Sequence, residues 1–379
     1  MKKTLKWLLV LIFIPVLGFA GFLIYMTVMD FKPAPVNFEA IKGTGEKLPE
    51  EKDEFTFMIW NIGYAGLGEE SDFFFDGGKD VRQTEDITQK NLNGIIDFIK
   101  QNDSIDFFLL QEVDFESKRS YYVNQKIEIE KALGKHISSG TANYSSKFVP
   151  QPMLNPYGKC YAGLQSITPY LPFSARRIAL TPDADWPVGL FMLDRCLLEW
   201  RFKLANQKEL VVYNLHLSAY DDGTVKKSQM DTLKNVVLRE YNKGNYVVAG
   251  GDWNQCPPDY KSPNPGVKAT VEMNVPANFP EEGWKWAFNT SFPTNRKLNE
   301  KYTAGKTGVD VIDFYLLSPN ISLIETKVIN LDFKYSDHQP VYMKVQIPDI
   351  KSYLSQPKDT IPDSTSIRKE EIKQKLQGK

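Results

Sequence analysis

Cysteine is scarce in this chain of 379 residues, and the three present, Cys160, Cys196 and Cys256, are odd in number and lack metal-ligand spacing. That leaves no basis for a disulfide framework or a thiolate metal site, and they are expected to be buried, inert thiols. Charge of one sign is also missing: 46 Lys and Arg against 47 Asp and Glu give a net charge of −1. The chain as a whole therefore lacks the basic excess of a protein that grips nucleic acid through its phosphates. Histidine is limited to His136, His216 and His338. There is no internal repeat.

What the chain has first is an apolar N-terminus. Lys2, Lys3 and Lys6 precede an almost unbroken apolar run from Trp7 to Met29. At about 1.5 Å per helical residue this run is long enough to cross a hydrocarbon core of about 30 Å. Pro15 and Gly18 lie inside it, which membrane helices tolerate. Gly18-Phe19-Ala20 resembles a signal-peptide cleavage site, but apolar residues continue through Met26, so an uncleaved anchor is the expected reading and a cleaved, secreted form the competing one. No cysteine follows the run to carry a lipid. The leading lysines place its start in the cytoplasm, so the rest of the chain is expected to face outward.

The expected organisation is an anchor over 1–29, a linker over 30–53, a catalytic domain over 54–348 and a polar, flexible tail over 349–379, with at most a short helix near Ile367–Leu376. Strand patterns recur at Phe55–Ile59, Phe107–Leu110, Arg195–Phe202, Leu210–Tyr213, Tyr246–Ala249, Val311–Leu317, Ile321–Ile329 and Pro340–Ile347. Helical spacing of apolar residues marks Thr84–Lys100 and Ser228–Tyr241, and a third helix is expected over Tyr121–Leu133. Strands and helices are mixed without strict alternation, which predicts an α/β (α+β) layered sandwich rather than a doubly wound sheet. The Pro-, Asn- and Gly-rich stretch Cys256–Thr307 reads as a long insertion, with Trp284 and Trp286 in its middle.

Five polar clusters close on or follow strand-like runs: Trp60-Asn61, Gln111-Glu112, Asn214-Leu215-His216, Gly251-Asp252-Trp253-Asn254 and Ser336-Asp337-His338. Side chains at the ends of neighbouring strands converge on one pocket. Their carboxylates and amides suit a hard cation such as Mg²⁺, and their imidazoles suit proton transfer and anion contact. Metal-assisted phosphoester hydrolysis is the chemistry this donor set points to.

In order and context, Glu112, His216, Asp252, Asn254, Asp313, Asp337 and His338 resemble the endonuclease/exonuclease/phosphatase superfamily. The most specific strings are Leu-Leu-Gln-Glu ending at Glu112, Gly-Gly-Asp-Trp-Asn ending at Asn254 and Ser-Asp-His-Gln-Pro beginning at Ser336. The resemblance spans Phe55–Val345. It implies a four-layer sandwich of two mixed sheets flanked by helices, and a divalent-metal hydrolase using in-line attack by water, with Mg²⁺, or Mn²⁺ in its place, as cofactor. Glu112 then is the principal metal ligand, with Asn61 beside it and Asp337 contributing.

His338 takes the part of general base or of donor to the phosphorane, oriented by Asp313 as the resemblance implies. Asp310 is a nearby competitor, read as a loop acid. Asp252 polarises water or leaving group, Asn254 bonds a non-bridging oxygen, and His216 contacts the phosphate and serves the leaving oxygen. Asp252 and Asn254 are expected to share one face of a strand end, with Trp253 pointing away. Tyr161 resembles a phosphate-contacting tyrosine of some members, though the Ser-Arg that commonly follows is replaced by Ile167-Thr168-Pro169-Tyr170. His136, in a segment without a motif, is given no role.

The resemblance does not name the substrate. A lipid headgroup or small phosphorylated metabolite is favoured, reached by a membrane-held enzyme. An extracytoplasmic deoxyribonuclease-like endonuclease is the alternative, and a non-catalytic binding protein is disfavoured by the retained acids and imidazoles. No protein partner is expected.

Overall fold

A computed structural model describes residues 2–219, 223–261 and 274–355, without the side chains of residues 2–6, 8–10 and 12. The elements begin with α1 (Lys2–Val28), β1 (Val36–Phe38), β2 (Lys42–Gly43), β3 (Glu54–Asn61), α2 (Glu85–Gln101), β4 (Phe107–Asp114) and α3 (Gln125–Leu133). There follow β5 (Ile137–Val149), β6 (Gly158–Thr168), β7 (Ser174–Ala179), β8 (Cys196–Lys203), β9 (Glu209–His216), α4 (Thr224–Tyr241) and β10 (Tyr246–Asp252). Last come β11 (Lys285–Ala287), β12 (Asn295–Arg296), β13 (Val309–Asp310), β14 (Asp313–Leu317), β15 (Ser322–Val328), β16 (Val341–Gln346) and α5 (Pro348–Leu354).

Two seven-stranded sheets pack face to face, in the orders β1-β7-β8-β9-β10-β14-β11 and β15-β16-β3-β4-β6-β5-β2. Both are mixed: β9 runs parallel to β10 and β3 parallel to β4, while the other pairs are antiparallel. Alternation decides which residues meet between the sheets. Phe55, Phe57 and Ile59 of β3 face Leu210, Val212, Tyr246, Val248 and Tyr315 of the other sheet in one fully buried cluster. Each such side chain contributes about 1.5–3 kcal/mol by leaving water.

The outer faces are covered by helices. Leu92, Ile95 and Ile99 of α2 and Ile129 of α3 pack on Met58, Trp60, Phe108 and Leu110. Met230, Leu233, Val236 and Val237 of α4 pack on Val211, Tyr213, Val247 and Ala249. The expected helices form with small shifts that their caps explain: the Thr84 hydroxyl accepts from the Ile87 amide, and Asn124 accepts from the Ile127 amide, which starts α3 later than expected. The four-layer α/β sandwich is thus present.

Residues 30–53, expected as a linker, are stitched to the body instead. Val36–Phe38 pairs with β7, and Lys42–Gly43 pairs with β5, so each sheet gains an edge strand from this stretch. Its lack of apolar periodicity reflects exposed edge strands with no face to bury. Among the described residues no helix is long and apolar enough to cross a membrane, a statement that covers, of α1, only the side chains of Trp7, Leu11 and residues 13–28. The backbone of α1 is one helix of 27 residues. The short helix expected near Ile367–Leu376 lies outside the described residues. All three cysteines are buried and free.

Candidate active site

The inward faces that build the core also build the site. Along β3 they run Phe55, Phe57, Ile59, Asn61; along β9, Leu210, Val212, Asn214, His216; along β10, Tyr246, Val248, Gly250, Asp252. Each ends in a polar residue, and β9 turns polar one rung earlier, at Asn214. Parallel registers set Asn61 opposite Gln111 and Asp252 opposite His216, while the antiparallel β14 sets Asp313 opposite Asp252. Ser336-Asp337-His338 precedes β16, whose Val341 pairs with Ile59, so this segment arrives at the same end. Close approach of β9 and β10 requires Gly251: at φ +147°, a Cβ there would sit 2.0 Å from the Leu215 carbonyl oxygen.

Strict alternation would aim Glu112 away from the site, because Gln111 already points inward. A bulge between Leu110 and Val113 and a left-handed backbone at Glu112 (φ +53°) turn it back. A non-glycine residue held there costs of the order of 1–3 kcal/mol, the kind of strain that accumulates at functional positions. Behind it, the Gln111 amide donates to Asn214 Oδ1 at 2.7 Å, and the Asn214 amide donates to the Leu110 and Gln165 carbonyls, tying the two sheets together.

Asn61 stands at the centre. Its Nδ2 lies 3.2 Å from Glu112 Oε1, 3.0 Å from Asp252 Oδ2 and 3.5 Å from His338 Nε2. Asp252 Oδ2 is 3.5 Å from His216 Nε2 and 3.7 Å from His338 Nε2, and Asp337 Oδ2 is 3.8 Å from His338 Nε2. His338 Nδ1 is 2.8 Å from Asp313 Oδ2, the orienting carboxylate that the resemblance implies. Glu112, Asn61, His216, Asp252, Asp313, Asp337 and His338 therefore meet in one cluster.

Two expected members stand differently. Asn254 lies beyond the end of β10 with a left-handed backbone (φ +48°), so the strand alternation expected for Asp252 and Asn254 stops short of it. Its side-chain nitrogen donates to the Leu217 carbonyl, and its backbone N–H donates to Asp252 Oδ1 at 2.8 Å, so it buttresses Asp252. Trp253 does point away, stacked on Phe314. Tyr161 has its ring edge-on to Phe115 and lines a cleft with Asn124, Lys126 and Gly140. Asp310 is buried and pairs across β12 with Asn295.

The residue that sequence reasoning missed is Asn295. Its Nδ2 lies 3.0 Å from His338 Nε2, on β12 inside the stretch read as an insertion. Thr294 beside it accepts the backbone N–H groups of Ile312 and Asp313, fixing the start of β14. Only the Asn-Arg pair of β12 carries a strand signal there, too short to register.

Electrostatics divide the two imidazoles. Burial works against a charged His338, but Asp313, Asp337 and Asp252 outweigh it and hold the group well above the usual histidine range. Burial together with Arg195 and His338 holds His216 well below that range, so it is neutral. Burial raises Asp252 to about 6, with His338 opposing and Asp313 adding, and raises Asp337 to about 7, with Glu112 adding and His338 opposing.

The crowded carboxylates of Glu112, Asp252 and Asp337 fit a hard divalent cation, which offsets the charge that burial disfavours. Asn61 presents Nδ2 to the cluster and Oδ1 to the Gly63 N–H, so it joins a ligand set only with its amide turned over. Asp252, Asp313 and His338 present donor atoms within 4.8 Å of one another. The Asp313 contact to Nδ1 makes that trio an oriented imidazole beside an acid as much as a ligand set.

No protein-family profile matches the sequence, and no curated protein matches it. Among solved structures, an endonuclease/exonuclease/phosphatase from Beutenbergia cavernae is 16% identical, covers 78% of this chain and 72% of its own, and superimposes with a TM-score of 0.53. An endonuclease/exonuclease/phosphatase from Bacteroides vulgatus is 15% identical (78% of this chain, 100% of its own, TM-score 0.48). ANGEL2, a 2',3'-cyclic phosphatase in complex with adenosine-2',3'-vanadate, is 14% identical (82% and 98%, TM-score 0.49). At TM-scores under 0.5 the latter two add nothing to the fold assignment.

Proposed function

We propose that this chain, which has the endonuclease/exonuclease/phosphatase fold, is a divalent-metal-dependent phosphoester hydrolase held at a membrane by α1 with its catalytic domain outside the cytoplasm. The observation that carries the reading is the meeting of Glu112, Asn61, Asp252, Asp337, His216 and the Asp313–His338 pair at one end of the sandwich. Glu112 and Asp337, joined by Asn61 once its amide turns Oδ1 inward, would hold Mg²⁺, or Mn²⁺ in its place, which would supply charge neutralisation at the phosphoryl oxygens.

The chain's own groups divide the remaining work. His338, kept cationic by Asp313, donates to a non-bridging phosphoryl oxygen as negative charge develops. Asp252, beside both imidazoles, takes the proton of the attacking water. Neutral His216 hydrogen-bonds the leaving oxygen. Asn295 packs its side-chain amide against the free edge of the His338 ring, 3.0 Å from Nε2, and so bounds where the ring can sit.

Anchoring is supported by the lysine-led apolar run and by its formation of one continuous helix. The substrate class is a phosphodiester or phosphomonoester on a lipid headgroup or small metabolite. The test is turnover of a generic phosphodiester, a phosphomonoester, sphingomyelin and duplex DNA by the full chain with Mg²⁺ and with chelator. Metal-dependent turnover of a non-nucleic substrate is expected. Cleavage of DNA alone, falling steeply with salt, establishes the endonuclease alternative, and no turnover of any of them removes the hydrolase reading.

A further inference from the structure

Three loops at the catalytic end expose apolar side chains around the point where α1 leaves the body. Phe148 (37% exposed), Met153 (88%) and Leu154 (100%) belong to the β5–β6 hairpin, Trp186 (65%) and Val188 (56%) to the β7–β8 connection, and Phe74 (40%) to the segment before α2. Single exposed apolar residues are ordinary, but a contiguous group marks a contact surface. Hydrogen bonds join these loops: the Tyr144 hydroxyl donates to the Phe191 carbonyl, Ser146 to the Leu190 carbonyl, and Arg82 to the Pro156 carbonyl.

Their position at the catalytic end follows from register. β8 starts where β9 ends, with Leu197 opposite Leu215, next to His216, and β6 enters the sheet opposite the end of β4, with Ala162 opposite Asp114, two residues past Glu112.

The occupant is indicated by α1. Its last turns dock on these same loops: the Phe22 ring lies 6.0 Å from Phe191 and 6.2 Å from Phe148, Met26 is buried, and Trp186 Nε1 donates to Thr27 Oγ1 at 3.1 Å. Before Phe22 every described side chain of α1 is exposed, including Leu11, Phe13, Val16 and Phe19. That projecting part, about 20 residues, is about 30 Å long, the thickness of a hydrocarbon core. A bilayer entered to that depth meets the body at the level of Phe22, where Phe148 sits, with Trp186 beside Thr27 about 7–8 Å further along the helix, within the headgroup region that tryptophan favours.

We propose that the 148–154 and 186–188 loops are a second bilayer contact that seats the mouth of the active site on the membrane entered by α1, so that the substrate is a phosphoester on a lipid headgroup of that leaflet. This rests on the membrane-held hydrolase reading and narrows its substrate.

Because the native thiols are buried, Leu154→Cys and Glu282→Cys can each be labelled with an environment-sensitive fluorophore. Glu282 is exposed at the opposite end, near Lys285, which pairs with Leu317. The full chain is reconstituted in phosphatidylcholine vesicles with and without doxyl-labelled lipid. Quenching at position 154 at least about threefold stronger than at 282 is expected; equal quenching overturns the proposal.

Met153→Ser with Leu154→Ser, both at fully open positions, is expected to lower turnover of vesicle-borne sphingomyelin at least fivefold and to leave a water-soluble phosphodiester within twofold. Unchanged vesicle turnover overturns it. If the unsubstituted chain hydrolyses neither, the hydrolase reading fails, and with it the substrate assignment, while quenching still decides the bilayer contact.

Discussion

The two ends of the sandwich treat buried acids in opposite ways. At the end away from the site, Arg201 bridges Glu199, Glu209 and Glu240, Arg176 adds a second guanidinium to Glu199, and Lys243 and the Asn245 amide complete Glu240. There burial raises Glu240 but the Arg201 and Lys243 contacts outweigh it, leaving the group at about 2. At the catalytic end, Glu112, Asp252, Asp313 and Asp337 gather around two imidazoles of which one is neutral, and Asp337 rises to about 7. The Arg201 cluster matches its acids with guanidinium and ammonium groups; the catalytic cluster sets four acids against one cationic imidazole, the arrangement of a site that takes up a cation and a phosphate.

Substitutions should split along that line. Glu112→Ala or His338→Ala is expected to cut turnover by about 10³-fold or more with a far-UV circular dichroism spectrum like that of the parent, and activity within a few-fold of the parent removes the residue from the chemistry. Arg201→Met should do the reverse, lowering stability by about 3–5 kcal/mol in denaturant titrations, because three carboxylates lose the guanidinium they share, with kcat held within twofold at a temperature where the variant is folded. Asn295→Ala should fall between, about tenfold in kcat with little change in KM, as the His338 ring loses its restraint.

The pH dependence of the metal-free protein sharpens the contrast. Asp337 has a folded-state value raised to about 7 from an ordinary 3.8, so its neutral form favours the fold and adds stability as pH falls from about 7 toward 4. Glu240 is depressed from 4.5 to about 2, so its contribution is complete above about 4.5 and is lost as pH falls through about 2. Asp252, raised to about 6, acts in the same sense as Asp337, while His216, held below about 6.5, opposes it. The rise in melting temperature in chelator that belongs to Asp337 is therefore the part between about pH 7 and 4 that differs between the parent and Asp337→Asn, with the Glu240 loss following toward about pH 2. Asp337→Asn should flatten the rise, and Mg²⁺ should raise the melting temperature most at neutral pH, by binding the folded form alone. A monotonic profile that Asp337→Asn leaves unaltered contradicts the assignment.

The site was legible wherever a short polar string closes an apolar strand, since alternation along β3, β9 and β10 carries Asn61, His216 and Asp252 inward with the core residues before them. Where local backbone overrode alternation, the motif strings and not the periodicity marked the residue. Glu112 reaches the pocket only through a bulge, and Asn254 is taken out of β10 by a left-handed turn; neither leaves a periodic trace. Asn295 sits on a strand of two residues, held by Thr294 and by pairing to Val309-Asp310, contacts made at a distance in sequence. β5 escaped for another reason: Ile137–Val149 is rich in Ser, Thr, Gly and Asn, and its place in the sheet comes from pairing with β6 along most of its length. The edge strands at 36–38 and 42–43 have too little buried face to be seen.

The reacting groups are the terminal rung of the inter-sheet core, with Ile59 two residues before Asn61, Val212 four before His216 and Val248 four before Asp252. Loss of shape in that core and loss of catalytic alignment are consequently one event. Heat should therefore extinguish turnover and tryptophan fluorescence along a single curve, and an inhibitor mimicking the phosphorane should toughen the protein globally instead of quieting one loop.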